Sequence, residues 1–122
     1  MSADQFVSAQ AKAKPKGKGR IRHVPGQMNK TEAAYAEHLA LLLRAGDILW
    51  WKFEAVTLKL APDLRWTPDF LVMLGDGSLE LHDTKGHMEL HARAKMLVVA
   101  HTWPFVVRVV KRAGGGWEVK EA

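Results

Sequence analysis

The sequence predicts a single α/β domain of the mixed α+β kind, a mixed sheet flanked by helices in the order α-β-β-β-β-α-β-β. Three observations carry this. Residues 29–44 place apolar side chains at helical spacing, residues 66–85 alternate around a Gly75-Asp76-Gly77 break, and residues 88–112 read as a second helix followed by a strand. A chain of 122 residues supports one core, and no internal repeat divides it.

The first segment is polar. Lys12, Lys14, Lys16, Lys18, Arg20, Arg22 and Lys30 stand against Asp4 alone, so residues 1–30 carry +6 of a total of +5 and the rest is near −1. AKAKPKGKGR has almost nothing to bury, which makes residues 1–27 a flexible basic tail, disordered in isolation, and residues 28–122 the folded domain. A flexible polycation suits phosphate backbones, whose counterions it displaces. Its other reading is a solubilising tail.

The first helix can be capped by Asn29 or Thr31 and ended by Gly46. Glu32, Tyr35, Ala36, Leu39 and Leu43 share one stripe, whereas Glu37 falls away from it. Glu32 therefore faces inward in the first turn, either as a functional acid, as the capping-box partner of Asn29, or as both. Strands follow at residues 48–54, 56–60, 66–74 and 78–85. The second helix covers about 88–101, Pro104 closes it, and strands at 105–112 and 117–120 complete the sheet.

Charged residues interrupt two otherwise hydrophobic strands at Pro68-Asp69 and Asp83-Thr84-Lys85. A carboxylate there costs several kcal/mol unless a cation or hydrogen bonds satisfy it. With a three-residue loop of Gly75, Asp76 and Gly77, Leu74 pairs with Ser78, and Asp69 falls directly opposite Asp83 on one face. Lys85 points to the same face, as do Leu71, Met73, Leu79 and Leu81. Glu80, His82 and Thr84 point the other way, toward an expected wetter face. A two-residue loop would put the two aspartates on opposite faces. Carboxylates side by side repel, and a divalent cation between them removes that penalty; Mg²⁺ takes one or two carboxylates plus waters and phosphate oxygens.

Pro68, Asp69, Asp83 and Lys85 resemble the signature of the PD-(D/E)xK nuclease superfamily, which has the restriction-endonuclease-like fold. Pro62-Asp63 and Glu118-Val119-Lys120 match parts of that pattern too, but neither lies on an adjacent strand pair. The runs NKTEAAYAEHL, WWKFEAVTLKL, TPDFLVML and LELHDTKG, within residues 28–110, are similar to a small phage-encoded family placed in the superfamily. The resemblance implies a restriction-endonuclease-like core and a DNA endonuclease, with Mg²⁺ or Mn²⁺ held by Asp69, Asp83 and Glu32 and by the backbone carbonyl of Thr84. Lys85 would orient the attacking water. Arg93 and Lys95, on the second helix, would hold phosphate, or else are simply solvated. The acid before x-Lys is often Glu in the family and is Asp83 here, one methylene shorter.

Other features weigh less. His82, His87 and His91 mix strand, loop and helix, so a surface or hydrogen-bonding role is favoured over zinc. Glu54 reads as an edge-facing carboxylate, and Trp50, Trp51, Trp66 and Trp103 as core or sheet cover. The absence of Cys excludes disulfides and Cys-based zinc sites. No continuous apolar segment suggests a signal peptide or a membrane span, so the expected location is cytoplasmic, in a bacterial host if the gene is a phage's. Within the nucleases, Holliday-junction resolvases, restriction-type and transposition enzymes all remain open, with structure-selective recognition as a homodimer suiting so small a chain. Outside them, the alternative is a DNA-binding module that keeps a degenerate nuclease core.

Overall fold

The computed structural model of the protein describes residues 24–85 and 90–122. The proposed DNA contacts Lys12, Lys14, Lys16, Lys18, Arg20 and Arg22 lie outside the described residues, as does His87. Helix α1 (Lys30–Ala45) starts at the full capping box: Glu32 N–H donates to Asn29 Oδ1 at 2.8 Å, and Asn29 N–H donates to Glu32 Oε1 at 2.9 Å. It ends at Gly46, whose φ of 85° lies in the left-handed region that glycine enters without a Cβ clash.

The strands are β1 (Ile48–Phe53), β2 (Leu58–Ala61), β3 (Leu64–Trp66), β4 (Phe70–Leu74) and β5 (Leu79–Thr84). Helix α2 (Leu90–Thr102) precedes β6 (Val106–Ala113) and β7 (Gly116–Glu121). Five strands form one sheet in the order β1-β4-β5-β6-β7, and β2 pairs with β3 in a separate ribbon. The β5–β6 pair is parallel and the others are antiparallel, so the fold is a mixed α+β one with a mixed sheet. A parallel pair needs a long crossover, and α2 lies within it. Neither described helix is long and apolar enough to cross a membrane.

Two expectations are corrected. The strand read over residues 66–74 divides into β3 and β4, which adds a strand before α2. Pro68 has no N–H to give a ladder, and the chain bends at Asp69 before rejoining the sheet. Opposite that bend Glu54 adopts φ 49° and donates its N–H to the Asp69 carbonyl at 2.7 Å, which turns the chain out of β1 and toward the ribbon. The Pro62-Asp63 pair forms the turn between β2 and β3.

The second correction concerns the wetter face. Glu80, His82 and Thr84 are buried, at 7%, 6% and 6% exposure. Both faces of the central strands are covered, as is usual beside a parallel crossover. On one face Leu71, Leu81 and Val107 meet Met96 and Val99 of α2 and Leu58 and Trp66 of the ribbon. On the other, Ile48, Phe70, Val72 and Val110 meet Tyr35 and Leu39 of α1. The polar residues on that second face satisfy one another. Tyr35 O–H donates to His82 Nδ1 at 2.6 Å, His82 Nε2–H to Glu80 Oε1 at 2.9 Å, and Arg108 to Glu80 Oε2 at 2.9 Å. Burial keeps the imidazole neutral by lowering its pKa, and the Tyr35 hydroxyl, pushed well up by burial and by Glu80, stays a donor.

Candidate active site

The hairpin loop sets the register of the site. Gly77 N–H donates to the Leu74 carbonyl at 2.9 Å, Leu74 N–H to the Ser78 carbonyl at 2.8 Å, and Gly77 supplies the required positive φ, 89°. Asp76 Oδ1 caps the turn, accepting from the Ser78 N–H at 2.9 Å and from its hydroxyl at 2.7 Å. The ladder then runs Met73↔Leu79, Val72↔Glu80, Leu71↔Leu81 and Phe70↔His82. The ladder ends there, and the chain bends at Asp69, which meets Asp83 through its N–H, donated to Asp83 Oδ1.

Their carboxylates are held by backbone donors. Asp69 N–H donates to Asp83 Oδ1 at 2.9 Å, and Asp69 Oδ2 accepts from both the N–H and the hydroxyl of Thr84, each at 2.9 Å. Lys85 Nζ lies 3.1 Å from Asp83 Oδ2, within ion-pair distance, yet that oxygen is fully buried and has no partner in hydrogen-bonding geometry. Exposure is 9% for Asp69 and 1% for Asp83.

Burial pushes the Asp69 carboxyl up to about 6, against the Thr84 N–H and with help from the Glu32 charge. The Asp83 carboxyl rises to about 6 as well, through burial and then the neighbouring Asp69, while Lys85 opposes the rise. For Lys85 burial acts downward, but Asp83, Asp69 and Glu32 outweigh it and its pKa is raised, so it is an ammonium. The site is a strained assembly of repelling acids around one cation.

Glu32 is brought to the edge of this assembly. It is 6% exposed, and its charge acts on both Asp69 and Lys85, but its Oε1 holds the helix cap. Glu37 is exposed on the opposite side of α1. Glu32→Gln is expected to lower any activity of this site about tenfold, whereas Glu37→Gln leaves it unchanged. Cleavage rates of the two variants, compared with their melting temperatures, check this; a more damaging Glu37→Gln would refute the phase of the helix.

The remaining candidates are dispersed. Arg93 is exposed and lines a cavity of about 340 Å³ between α2 and β6–β7 with Lys111, Glu118, Lys120 and Glu121. Lys95 is half-buried and His91 exposed. Glu54 Oε1 accepts the Gly26 N–H at 2.9 Å, which ties it to the segment before α1. Trp66 is core, while Trp50 and Trp103 are 41% and 37% exposed. Sequence reasoning missed the two donors of Thr84, having assigned that residue only a carbonyl. The signal was present, since a threonine beside the second aspartate can offer N–H and O–H together.

Do these residues fit a divalent cation? Among the described residues no group of three His, Cys, Asp or Glu side chains is placed to hold a metal. A hard cation that keeps most of its waters needs only one or two carboxylates. Burial raises the pKa of both aspartates even with the Lys85 ammonium 3.1 Å from Asp83 Oδ2, so the two acids together carry more negative charge than that one cation offsets. Asp69 and Asp83 are the two carboxylates such an ion would need, with Glu32 near Asp69. Comparison with protein-family models, with curated proteins and with solved structures found no match to the chain.

Proposed function

We propose that the protein is a metal-dependent endonuclease that hydrolyses DNA phosphodiester bonds on a restriction-endonuclease-like core. One observation carries the reading: two buried aspartates on paired strands, with an oxygen that lacks a hydrogen bond and a lysine ammonium beside it. Asp69 and Asp83, with Glu32 and the Thr84 carbonyl as further oxygen donors, would hold Mg²⁺ or Mn²⁺, which when bound polarises a phosphate oxygen and lowers the pKa of a water.

The chain's own groups do the positioning. Thr84 fixes the Asp69 carboxylate through two donors, and the Asp69 N–H fixes Asp83, so neither acid needs to reorganise. Lys85, held as an ammonium by the acids around it, orients the attacking water and stabilises the negative charge that grows on the phosphate. Water attacks phosphorus and gives up a proton to solvent, one P–O bond forms, and the bond to the sugar oxygen breaks, that oxygen leaving with a proton taken from solvent. Cutting both strands of a duplex requires two such sites, which a symmetric dimer would supply.

The decisive experiment incubates the protein with linear, nicked, flap and four-way-junction DNA in Mg²⁺, Mn²⁺ or EDTA. Metal-dependent cleavage of at least one substrate is expected, and a preference among them fixes the structural specificity, the four-way junction marking a resolvase. No cleavage of any substrate in either metal refutes the proposal.

The tail makes a separate prediction. Deleting residues 1–22 removes Lys12, Lys14, Lys16, Lys18, Arg20 and Arg22. DNA affinity is expected to fall, and the slope of log affinity against log salt to become shallower by about 0.9 for each lost phosphate contact. Titrations at several salt concentrations measure this. An unchanged slope would make the segment a solubility element.

A further inference from the structure

The β2–β3 ribbon has two unlike faces. Leu58, Leu60 and Trp66 turn inward onto the core beneath α2, which fixes the ribbon to the domain. The outward face carries Lys59 and Arg65, which are directly opposite one another in the pairing and both exposed. Like charges in that position repel. Among the described residues neither has a carboxylate within ion-pair distance. Next to them on the same outward face, Thr57 and Thr67 are exposed and joined through their hydroxyls at 2.7 Å.

The other basic cluster of the fold is different. Around the cavity between α2 and β7, Arg93, Lys111 and Lys120 are interleaved with Glu118 and Glu121, and Lys120 lies 3.5 Å from Glu118. There three bases are interleaved with two acids. On the ribbon's outward face the two bases have no acid between them.

Position supplies the partner. The ribbon strand runs directly into the site: Thr67 is two residues and Arg65 four residues before Asp69, so Arg65 is at most about 14 Å from it along the backbone. At about 3.4 Å of rise per nucleotide, that reach spans roughly four steps of a strand lying in the site. The geometry points to the outward face of the ribbon, Lys59 and Arg65 with the Thr57 and Thr67 hydroxyls, as a contact surface for the phosphate backbone of duplex DNA beside the carboxylate site. An anion lying between Lys59 and Arg65 converts their repulsion into a paired contact. Of the two threonine hydroxyls, the one whose proton is not used between them donates to the adjacent phosphate. These contacts set register on the duplex and read no base. The inference deepens the proposed nuclease function and rests on it for the identity of the polyanion.

The test is binding of a short labelled duplex to the full chain in EDTA over a range of salt concentrations. Wild type is compared with Lys59→Gln/Arg65→Gln and with the control Lys111→Gln/Lys120→Gln, all checked for folding by circular dichroism. The ribbon variant is expected to lose about 1.8 from the salt slope, two contacts at about 0.9 each, while the control keeps the wild-type slope. An unchanged slope in the ribbon variant, an equal loss in both variants, or no duplex binding by wild type would each overturn the inference. Cleavage by wild type in Mg²⁺ or Mn²⁺ is scored separately. A protein that binds through the ribbon but cuts nothing retains the contact surface and refutes the nuclease, whereas one that cuts with an unaltered slope refutes the ribbon alone.

Discussion

Asp83→Asn is expected to reduce cleavage by at least about 10³-fold while the protein stays folded. The amide oxygen can still accept the Asp69 N–H, so that hydrogen bond is preserved while the charge, and with it the ion pair to Lys85, is lost. Asp69→Asn should be equally inactive, for the same reason. Alanine is the poorer probe at that position. Asp69→Ala leaves the buried Thr84 N–H and hydroxyl without their acceptor, at a cost of about 1–3 kcal/mol, so loss of activity would be mixed with loss of stability. Lys85→Gln should also lose cleavage, but through a different step: with the ammonium gone from beside Asp83 Oδ2, Mn²⁺ affinity should hold or rise while turnover falls. Single-turnover rates with calorimetric Mn²⁺ titrations separate the two behaviours. Wild-type activity in Asp83→Asn would remove the site assignment.

The metal-free protein is expected to lose stability as pH rises through about 6. Both aspartates have folded-state pKa values raised to about 6, above the usual carboxylate range, so between pH 4 and 6 the folded state binds more protons than the unfolded one. Their contribution is fully present below the unfolded pKa of about 4 and is lost as pH climbs past the folded value. The pair titrates as a unit, and its share is on the order of 3 kcal/mol. A bound divalent cation should reverse the trend. Mg²⁺ or Mn²⁺ should raise the melting temperature clearly at pH 7.5 and little at pH 5, where protons occupy the same oxygens. Melting curves across pH, with metal and with EDTA, test both signs. In Asp83→Asn the slope between pH 4 and 6 should flatten, and a wild-type slope in that variant would show that other groups carry it.

Much of the site was legible because its determinants are local. The Gly75-Asp76-Gly77 loop fixes a register, and that register runs as far as Phe70↔His82, which brings Asp69 beside Asp83 with no knowledge of the rest of the fold. The 3.6-residue period of α1 likewise separates Glu32 from Glu37, and the capping box is a pattern of four residues. None of this depends on what packs where.

What the sequence by itself determined is therefore the hairpin register that brings the two aspartates together, the phase of the helix, and a mixed α+β domain. Tertiary structure alone decided which faces are dry. Alternation says that Glu80 and His82 point away from Leu81 and Asp83, but only the covering of that face buries them: α1 brings Tyr35 to His82, and β6 brings Arg108 to Glu80. Tertiary structure also decided what the break at Pro68 leads to: the chain before it pairs with β2 as a ribbon that packs on the core beside α2, not in the main sheet. Local periodicity specifies direction, one residue at a time. Burial, and with it the raised pKa of the two acids and the oxygen without a hydrogen bond, comes from segments far apart in the chain closing over those directions.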